Sequence, residues 1–196
     1  RAVDGVVPEP PTGDLVVSVP GAHNSEMGCP GDWQPDCEAA RLTKRADGVY
    51  AGTFTIPAGT YEYKVAIGGS WTENYGKGGV KDGPNDSYTL AADGPVTFYY
   101  DAVTHWFTST AQGPIATVPG SFQSEAGCAG DWAPECMVTW LQDPEGDGTY
   151  TLTVNDLPEG AYEAKVAHGL GWTENYGVGG TPGGANYGSS RPAASR

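Results

Sequence analysis

The chain has 196 residues, enough for one large domain or two small ones. Its 38% hydrophobic and 11% aromatic residues, together with 30 Gly and 16 Pro, argue against disorder and favour short strands joined by turns. A formal net charge of −14 argues against a nucleic-acid or anionic membrane partner, because both need a basic surface. No apolar run approaches the roughly 18 residues of a membrane span.

A long internal repeat organises the chain. "VPGAHNSEMGCPGDWQPDCEAARL" at 19–42 matches "VPGSFQSEAGCAGDWAPECMVTWL" at 118–141. "PAGTYEYKVAIGGSWTENYGKGG" at 57–79 likewise matches "PEGAYEAKVAHGLGWTENYGVGG" at 158–180. Two copies of one unit predict two tandem domains. The predicted segments are a Pro-rich linker at 1–14, a first module at 15–108, a linker at 109–114, a second module at 115–188 and a disordered tail at 189–196.

Strand signals recur along the first copy. "YAGTFTI" at 50–56 alternates, with Tyr50, Phe54 and Ile56 on one face. "TYEYKVAI" at 60–67 predicts one strand whose inward residues are Tyr61, Tyr63, Val65 and Ile67, and whose outward residues are Glu62, Lys64 and Ala66. "VTFYYD" and "THWF" supply the last strands of this copy.

Turn chemistry separates these strands. "ADG" at 46–48 and "GDG" at 146–148 predict hairpins, because Asp and Gly tolerate positive φ. No stretch shows sustained helical periodicity. The pattern therefore predicts an all-β fold of two tandem antiparallel β-sandwiches, immunoglobulin-like and of about seven strands each.

The second copy is expected to be incomplete at its C-terminal end. "GGTPGGANYG" at 179–188 still follows "GGVKDGPNDS" at 78–87, but "SSRPAASR" has no likeness to "YTLAADGPVTFYYDAVTHWF". The module should therefore expose apolar core and an unpaired strand edge. Two explanations are open: the chain is a fragment of a longer protein, or the tail is foreign sequence. A strand donated by another chain is a third alternative, which would cover the exposed edge.

The four cysteines form two pairs of equal spacing, and the repeat favours local disulfides: Cys29–Cys37 and Cys128–Cys136. A zinc site would show closer cysteines or neighbouring histidines, so no metal is expected. Disulfides imply an oxidising compartment, and a secreted protein from which a signal peptide has been removed is predicted.

No catalytic or cofactor motif is present. The three histidines lie at non-equivalent positions of the two copies, and no nucleophile elbow, zinc-protease motif or phosphate loop occurs. Glu73 and Glu174 would need a second carboxylate in a cleft to cleave a glycoside. The acidic "DPEGDG" at 143–148 lacks the glutamate that a calcium loop requires, and a hairpin turn explains it better. No enzymatic activity and no cofactor are expected.

Aromatic and amide residues shared by both copies are the candidate binding residues. A core position for the tryptophans and a simple turn for "NYG" are the structural alternatives. Two indoles beside a lysine and an amide instead suit a sugar, since rings stack on C–H faces while polar groups bond hydroxyls. The candidates are Trp33, Lys64, Trp71, Asn74, Tyr75 and Asn85, and in the second copy Trp132, Lys165, Trp172, Asn175, Tyr176 and Asn186.

These motifs resemble the tandem accessory modules, of X-twenty-five type, of secreted bacterial pullulanases and α-amylases. More distantly, each copy is similar to the glucoamylase-type starch-binding domain. The second resemblance implies a site of two tryptophans, a lysine and an asparagine: Trp33, Lys64, Trp71 and Asn85, or Trp132, Lys165, Trp172 and Asn186. The stretch between Trp71 and Asn85 is longer than in that family, so Asn74 competes for the amide role.

The resemblance implies a non-catalytic module that binds an α-1,4/α-1,6-glucan polymer or a maltooligosaccharide. It implies that the module targets a secreted amylolytic enzyme to starch, pullulan or glycogen. A monomer is expected, with no nucleic-acid or membrane partner. The alternatives are a structural spacer that positions a catalytic domain and a secreted hydrolase inhibitor.

Overall fold

A computed structural model of the chain describes residues 13–192. The predicted linker at 1–14 and the end of the predicted tail therefore lie largely outside the described residues. The chain divides into two compact units, the first reaching Gly113 and the second containing 114–143 and 147–192. No helix in the described part of the chain is long and apolar enough to cross a membrane.

The first unit contains ten strands, more than the roughly seven predicted. They are β1 (Val17–Ser18), β2 (Arg41–Lys44), β3 (Tyr50–Ile56), β4 (Gly59–Tyr63), β5 (Val65–Ile67), β6 (Glu73–Gly76), β7 (Val80–Lys81), β8 (Asp86–Leu90), β9 (Gly94–Tyr100) and β10 (Phe107–Ser109). Eight of them form one antiparallel sheet in the order β10-β9-β3-β2-β1-β5-β6-β7, while β4 pairs with β8. Short 3₁₀ turns cover Ser25–Met27, Glu38–Ala40 and Lys77–Gly79.

An aromatic cluster connects the β4–β8 strand pair with β9 and β10 of the large sheet. Tyr63 is fully buried, with its ring 5.1 Å from that of Phe98 and 5.3 Å from that of Phe107. Tyr88 completes the cluster, 5.7 Å from Phe98. Each such ring buries on the order of 200 Å², so this cluster supplies much of the hydrophobic stabilisation of the unit. The all-β, sandwich-like fold predicted from the sequence is confirmed.

The segment predicted as one strand at 60–67 is divided between two sheets at Lys64. β4 pairs with β8, whereas β5 pairs with β1 and β6. At the switch, the Lys64 N–H donates to the carbonyl of Pro20 at 2.9 Å. Ala66, predicted to face outward, is buried because strands flank it on both sides.

The predicted linker at 109–114 is wrong in its first half. Ser109 is the buried last residue of β10, and the side chain of Gln112 accepts a hydrogen bond from Tyr63 at 2.6 Å. Gln112 also donates to Asp86 at 2.9 Å. The polar composition of this stretch is typical of a linker, but Gln112 accepts the hydrogen bond of the buried Tyr63 hydroxyl inside the first unit.

The second unit retains fewer strands. They are β11 (Ala116–Thr117), β12 (Gly160–Ala164), β13 (Val166–His168), β14 (Glu174–Tyr176) and β15 (Tyr187–Arg191), with helix α1 (Gln123–Ala126) and 3₁₀ turns at Met137–Thr139 and Val178–Gly180. β11, β13 and β14 form one sheet and β12 pairs with β15. Residues 152–157, which correspond to most of β3, form no strand.

β15 corrects the predicted tail. Residues 189–191, assigned to a disordered tail, are strand residues that pair with β12, Arg191 lying opposite Gly160. The composition of these residues is typical of a disordered tail, but antiparallel backbone pairing does not require apolar side chains. Every residue of β15 is exposed, and the described part of this unit contains no counterpart of β9 or β10.

Candidate functional site

Both predicted disulfides are present, and each closes the loop that carries a "GDW" motif. Cys29 bonds Cys37, and Cys128 bonds Cys136. In the first unit this loop rests on β4 through Gly21, where a Cβ atom would come within 2.5 Å of the Glu62 carbonyl oxygen. Glycine is therefore required there for the backbone to approach so closely.

Side-chain caps hold the first loop in shape. The Oδ1 atom of Asn24 accepts the N–H groups of both Gly21 and Gln34 at 3.0 Å. The Asp32 carboxylate accepts from the backbone N–H and the hydroxyl of Ser25, at 2.9 and 2.8 Å. In the second loop, Gln123 and Asp131 make the corresponding bonds. The repeated aspartate of "GDW" thus supports the loop, a role that sequence reasoning missed although the repeat signalled it.

Trp33 and Trp132 occupy the same unusual backbone conformation. Their φ angles are 58° and 56°, in the left-handed region that bulky residues rarely adopt. Each N–H donates across the loop, from Trp33 to Gly21 at 3.0 Å and from Trp132 to Gly120 at 3.2 Å. Strain of this kind persists only where surrounding contacts hold it, and it is concentrated at functional sites.

The conformation brings each of these indoles against a second one. The rings of Trp33 and Trp71 lie 6.4 Å apart and are tilted by 35°. The rings of Trp132 and Trp172 are likewise 6.4 Å apart and tilted by 33°. Trp71 is 39% exposed and Trp172 is 41% exposed, unusually high for so large a ring. Each unit therefore presents two inclined aromatic rings, one half-buried and one exposed, which we call the Trp pair.

The predicted lysine and amide of the first unit both follow from the end of the β4–β8 ladder. Tyr63 is opposite Asp86; Lys64 comes directly after Tyr63 and Asn85 directly before Asp86. Lys64 is half-buried and Asn85 is exposed. Among residues 13–192, neither side chain has a hydrogen bond or ion pair with the protein, so both polar groups are available to a ligand.

The loop with Trp33 is tied to the same segment as Lys64. Pro20 accepts the Lys64 N–H, and the next residue, Gly21, accepts the Trp33 N–H. Two residues far apart in sequence thus share one anchor of the backbone. The candidate site of the first unit is the Trp pair, and Lys64 is connected to the loop of Trp33 through Pro20 and Gly21.

The second unit repeats this arrangement. Ala164 lies opposite Tyr187 at the end of the β12–β15 pair; Lys165 comes directly after Ala164 and Asn186 directly before Tyr187. The Lys165 N–H donates to the carbonyl of Pro119 at 2.9 Å. Lys165 is half-buried and Asn186 is exposed, as in the first unit.

Asn74 and Tyr75 do not belong to the exposed surface, which corrects the prediction that they contact the ligand. Asn74 is 6% exposed and its Nδ2 group donates to the Trp71 carbonyl at 2.8 Å. Tyr75 is 5% exposed and stacks on the ring of His105 at 4.0 Å with an interplanar angle of 6°. Both residues therefore pack beneath the segment that carries Trp71.

The glutamate of the "WTENYG" motif also supports this loop. Glu73 accepts a hydrogen bond from the Tyr75 hydroxyl at 2.8 Å. Burial, with this hydrogen bond and the glutamate charge, raises the pKa of Tyr75 to about 12. Tyr176 donates in the same way to Glu174, and that hydrogen bond lowers the pKa of Glu174. Neither carboxylate has a second acidic partner in these contacts, as glycoside cleavage would require.

The described part of the site contains no set of side chains that could bind a metal ion. Across residues 13–192, no group of three or more His, Cys, Asp or Glu side chains is arranged to hold a metal ion. Each unit offers two inclined indole rings, together with a lysine and an asparagine whose side chains make no hydrogen bond within residues 13–192. Rings with polar edges bind the apolar faces and the hydroxyls of one ligand together.

The fold and the site define an all-β, sandwich-like module with a pair of inclined indole rings in each unit, and comparison with known proteins gives its family. The pullulanase X25 domain family matches residues 16–107 and 115–195. The chain therefore belongs to the pullulanase X25 domain family, which it represents twice. It corresponds to an accessory module and not to the catalytic domain of such enzymes.

The relatives are much longer proteins. An amylopullulanase of Thermoanaerobacter thermohydrosulfuricus is 36% identical over 186 residues, which are 91% of this chain and 12% of that protein. An amylopullulanase of Thermoanaerobacterium thermosulfurigenes is 41% identical over 111 residues, 55% of this chain and 6% of that protein. A solved pullulanase from Bacillus acidopullulyticus shares 23% identity over 80% of this chain and 16% of its own, with a TM-score of 0.46.

Proposed function

We propose that the chain is a non-catalytic module that binds α-glucan through one site in each unit. The observation that carries the proposal is the Trp pair, which recurs in both units with the same 6.4 Å separation. Two rings inclined to each other suit a curved chain such as an α-1,4-glucan, whereas a flat ligand would favour coplanar rings. The amylopullulanase names of the relatives support a ligand of this class.

Each residue of the site has a distinct role in this proposal. Trp33 and Trp71 stack on the C–H faces of successive glucose units. The ammonium group of Lys64 and the amide of Asn85 bond hydroxyl groups at the edge of the rings. Trp132, Trp172, Lys165 and Asn186 do the same in the second unit.

Two sites on one chain increase retention on a polymer. Each site is shallow and open to water, so its own affinity is expected to be weak. A second site on the same chain meets the polymer at an effective concentration on the order of millimolar, which strengthens the overall binding without a new contact. In this role the module holds a secreted amylolytic enzyme, as a monomer, on starch, pullulan or glycogen.

Affinity electrophoresis of the full chain in gels with and without amylopectin tests the proposal. The parent chain should be retarded by the polymer, and the double variant Trp71→Ala/Trp172→Ala should migrate as in the plain gel. Val80→Ala/Val178→Ala is the control, because these are also exposed apolar residues, one in each unit, that lie outside the Trp pair. Its retardation should equal that of the parent chain.

The same gels separate the alternatives. A structural spacer would show no retardation of the parent chain. Retardation that survives loss of both exposed tryptophans would contradict the site assignment while leaving glucan binding intact.

A further inference from the structure

The loop of Trp71 is closed by a pair of polar side chains. The Nδ2 group of Asn74 donates one hydrogen to the Trp71 carbonyl at 2.8 Å and the other to Oδ1 of Asp82 at 2.9 Å. The N–H of Asp82 returns a bond to the carbonyl of Asn74 at 3.0 Å. Because both oxygen acceptors face the nitrogen, the orientation of the amide is determined by its contacts.

The second unit has the first of these bonds without the second. Asn175 donates to the Trp172 carbonyl at 2.8 Å, and the N–H of Gly183 donates to the Asn175 carbonyl at 2.9 Å. Gly183 occupies the position of Asp82 and has no side chain to hold the amide. The Trp pair thus has the same geometry in both units but one side-chain restraint fewer in the second.

The amide contributes through what its nitrogen donates. The Oδ1 atoms of Asn74 and Asn175 are both buried and have no hydrogen-bond partner within residues 13–192. An unpaired buried acceptor opposes folding, because it loses its hydrogen bonds to water without replacement. The two units contain the same amide in spite of this cost, which identifies the donated bonds as its structural contribution.

The position of Asp82 also allows an exchange between the units. Asp82 has φ of 54° and Gly183 has φ of 62°, so both adopt the left-handed conformation. Asp and Gly are among the residues that tolerate this conformation. Exchanging them should therefore move the side-chain restraint from one unit to the other with little disturbance of the backbone.

We infer that Asn74 and Asp82 are positioning residues that hold Trp71 in its binding orientation before a ligand arrives, and that the second site lacks half of this restraint. The ligand-binding part of the inference rests on the proposed function. A ring that is already ordered loses less conformational freedom on binding. The first site is the tighter, preorganised one, and the second is the more adaptable.

Reciprocal variants of the full chain test the inference without a ligand. NMR relaxation of the indole Nε1–H groups should show that the ring of Trp172 is more mobile than that of Trp71. Asp82→Gly should increase the mobility of Trp71, and Gly183→Asp should decrease that of Trp172. Asp82→Asn is the control, because it retains an oxygen acceptor and should leave Trp71 as ordered as in the parent. Indole mobility unchanged by both exchanges would overturn the inference.

Titration with maltoheptaose then tests the consequence for binding. Binding to the first unit is measured alone in chains that carry Trp172→Ala. In these chains Asp82→Gly should weaken binding about three- to tenfold. Binding to the second unit is measured alone in chains that carry Trp71→Ala. In these chains Gly183→Asp should strengthen binding by a similar factor. Equal affinities in each pair would refute the role of the restraint in binding. If the parent binds no maltoheptaose while indole mobility responds, the proposed function fails and the positioning role stands.

Discussion

The two copies build one Trp pair on different supports. In the first, Tyr75 lies buried against His105, a residue between β9 and β10. In the second, Tyr176 is only half-buried, and the described residues include no strands in the place of β9 and β10. The ring separation is nevertheless the same, 6.4 Å in both. The geometry of the pair is therefore set locally, by the disulfide loop and by the amide that bonds the second tryptophan's carbonyl.

What the remainder of the sandwich adds is restraint and stability. Copy one surrounds its motif with an aromatic core, whereas copy two leaves the same motif more accessible to water. Substitutions at equivalent positions should therefore have larger effects in the first unit. Three predictions test this difference, from the largest expected effect to the smallest.

The largest difference concerns His23, whose equivalent is Phe122. His23 is fully buried; its Nε2–H donates to the Val19 carbonyl at 2.8 Å and its Nδ1 accepts from the Tyr88 hydroxyl at 2.7 Å. Burial lowers its pKa from 6.5 to about 4. Between these values the unfolded chain binds more protons than the folded one, so the free energy of unfolding falls as pH decreases from 6.5 to 4.

The first unit should lose about 3 kcal/mol of unfolding free energy by pH 4, and no such loss should occur above pH 6.5. Amide hydrogen exchange measured across this pH range in β4 and β9, with β13 for the second unit, checks it. The double variant His23→Phe/Tyr88→Phe removes both partners and should lack this component of the pH dependence. An unchanged pH dependence in that variant would exclude His23 as its source.

The second prediction concerns the amides beneath the Trp pair. Asn74→Asp places a carboxylate against the Trp71 carbonyl and the Asp82 carboxylate, so the first unit should lose about 2 kcal/mol of unfolding free energy. Asn175→Asp meets no second carboxylate at Gly183 and should cost about 1 kcal/mol. Amide exchange in β6 and β14 reads the two units separately. Equal losses would contradict the restraint assigned to Asp82.

The smallest effect concerns the turn before each exposed tryptophan. Leu170 adopts φ of 60°, whereas its equivalent, Gly69, has φ of 72°. A left-handed leucine is disfavoured by about 1–2 kcal/mol, and part of the relief is offset by the greater unfolded-state entropy of glycine. Leu170→Gly should therefore stabilise the second unit by about 0.5 kcal/mol, and Gly69→Leu should destabilise the first by a similar amount. Urea denaturation curves of the paired variants check the sign, and a stabilising Gly69→Leu would contradict the prediction.

Much of the site follows from local features of the sequence. The spacing of Cys29 and Cys37, repeated in the second copy, predicted both disulfides, because each cysteine has one other cysteine close to it in sequence. The repeated Trp71 indicated an exposed ring, because an apolar residue in a turn-rich polar segment has little core to enter, whereas the sequence left Trp33 open between core and surface.

Other assignments depended on contacts that the sequence does not display. Asn74 and Asn85 are both plausible ligand amides in sequence, and only the pairing of β6 with β5 turns Asn74 inward. His105 reaches Tyr75 across about thirty residues, and no periodicity predicts a partner at that distance. Gln112 was assigned to a linker because nothing in its neighbours shows that it serves the buried Tyr63 hydroxyl.

The sequence by itself determined the two tandem copies, the all-β class, the disulfides and the identity of the exposed indoles. These features rest on repetition, on alternation and on short-range covalent closure, all of which are visible along the chain. The tertiary structure decided where the strand at 60–67 changes sheet, which residues support each Trp pair and how firmly. These depend on strand pairing and on packing between distant segments, whose energies arise only when the chain has folded.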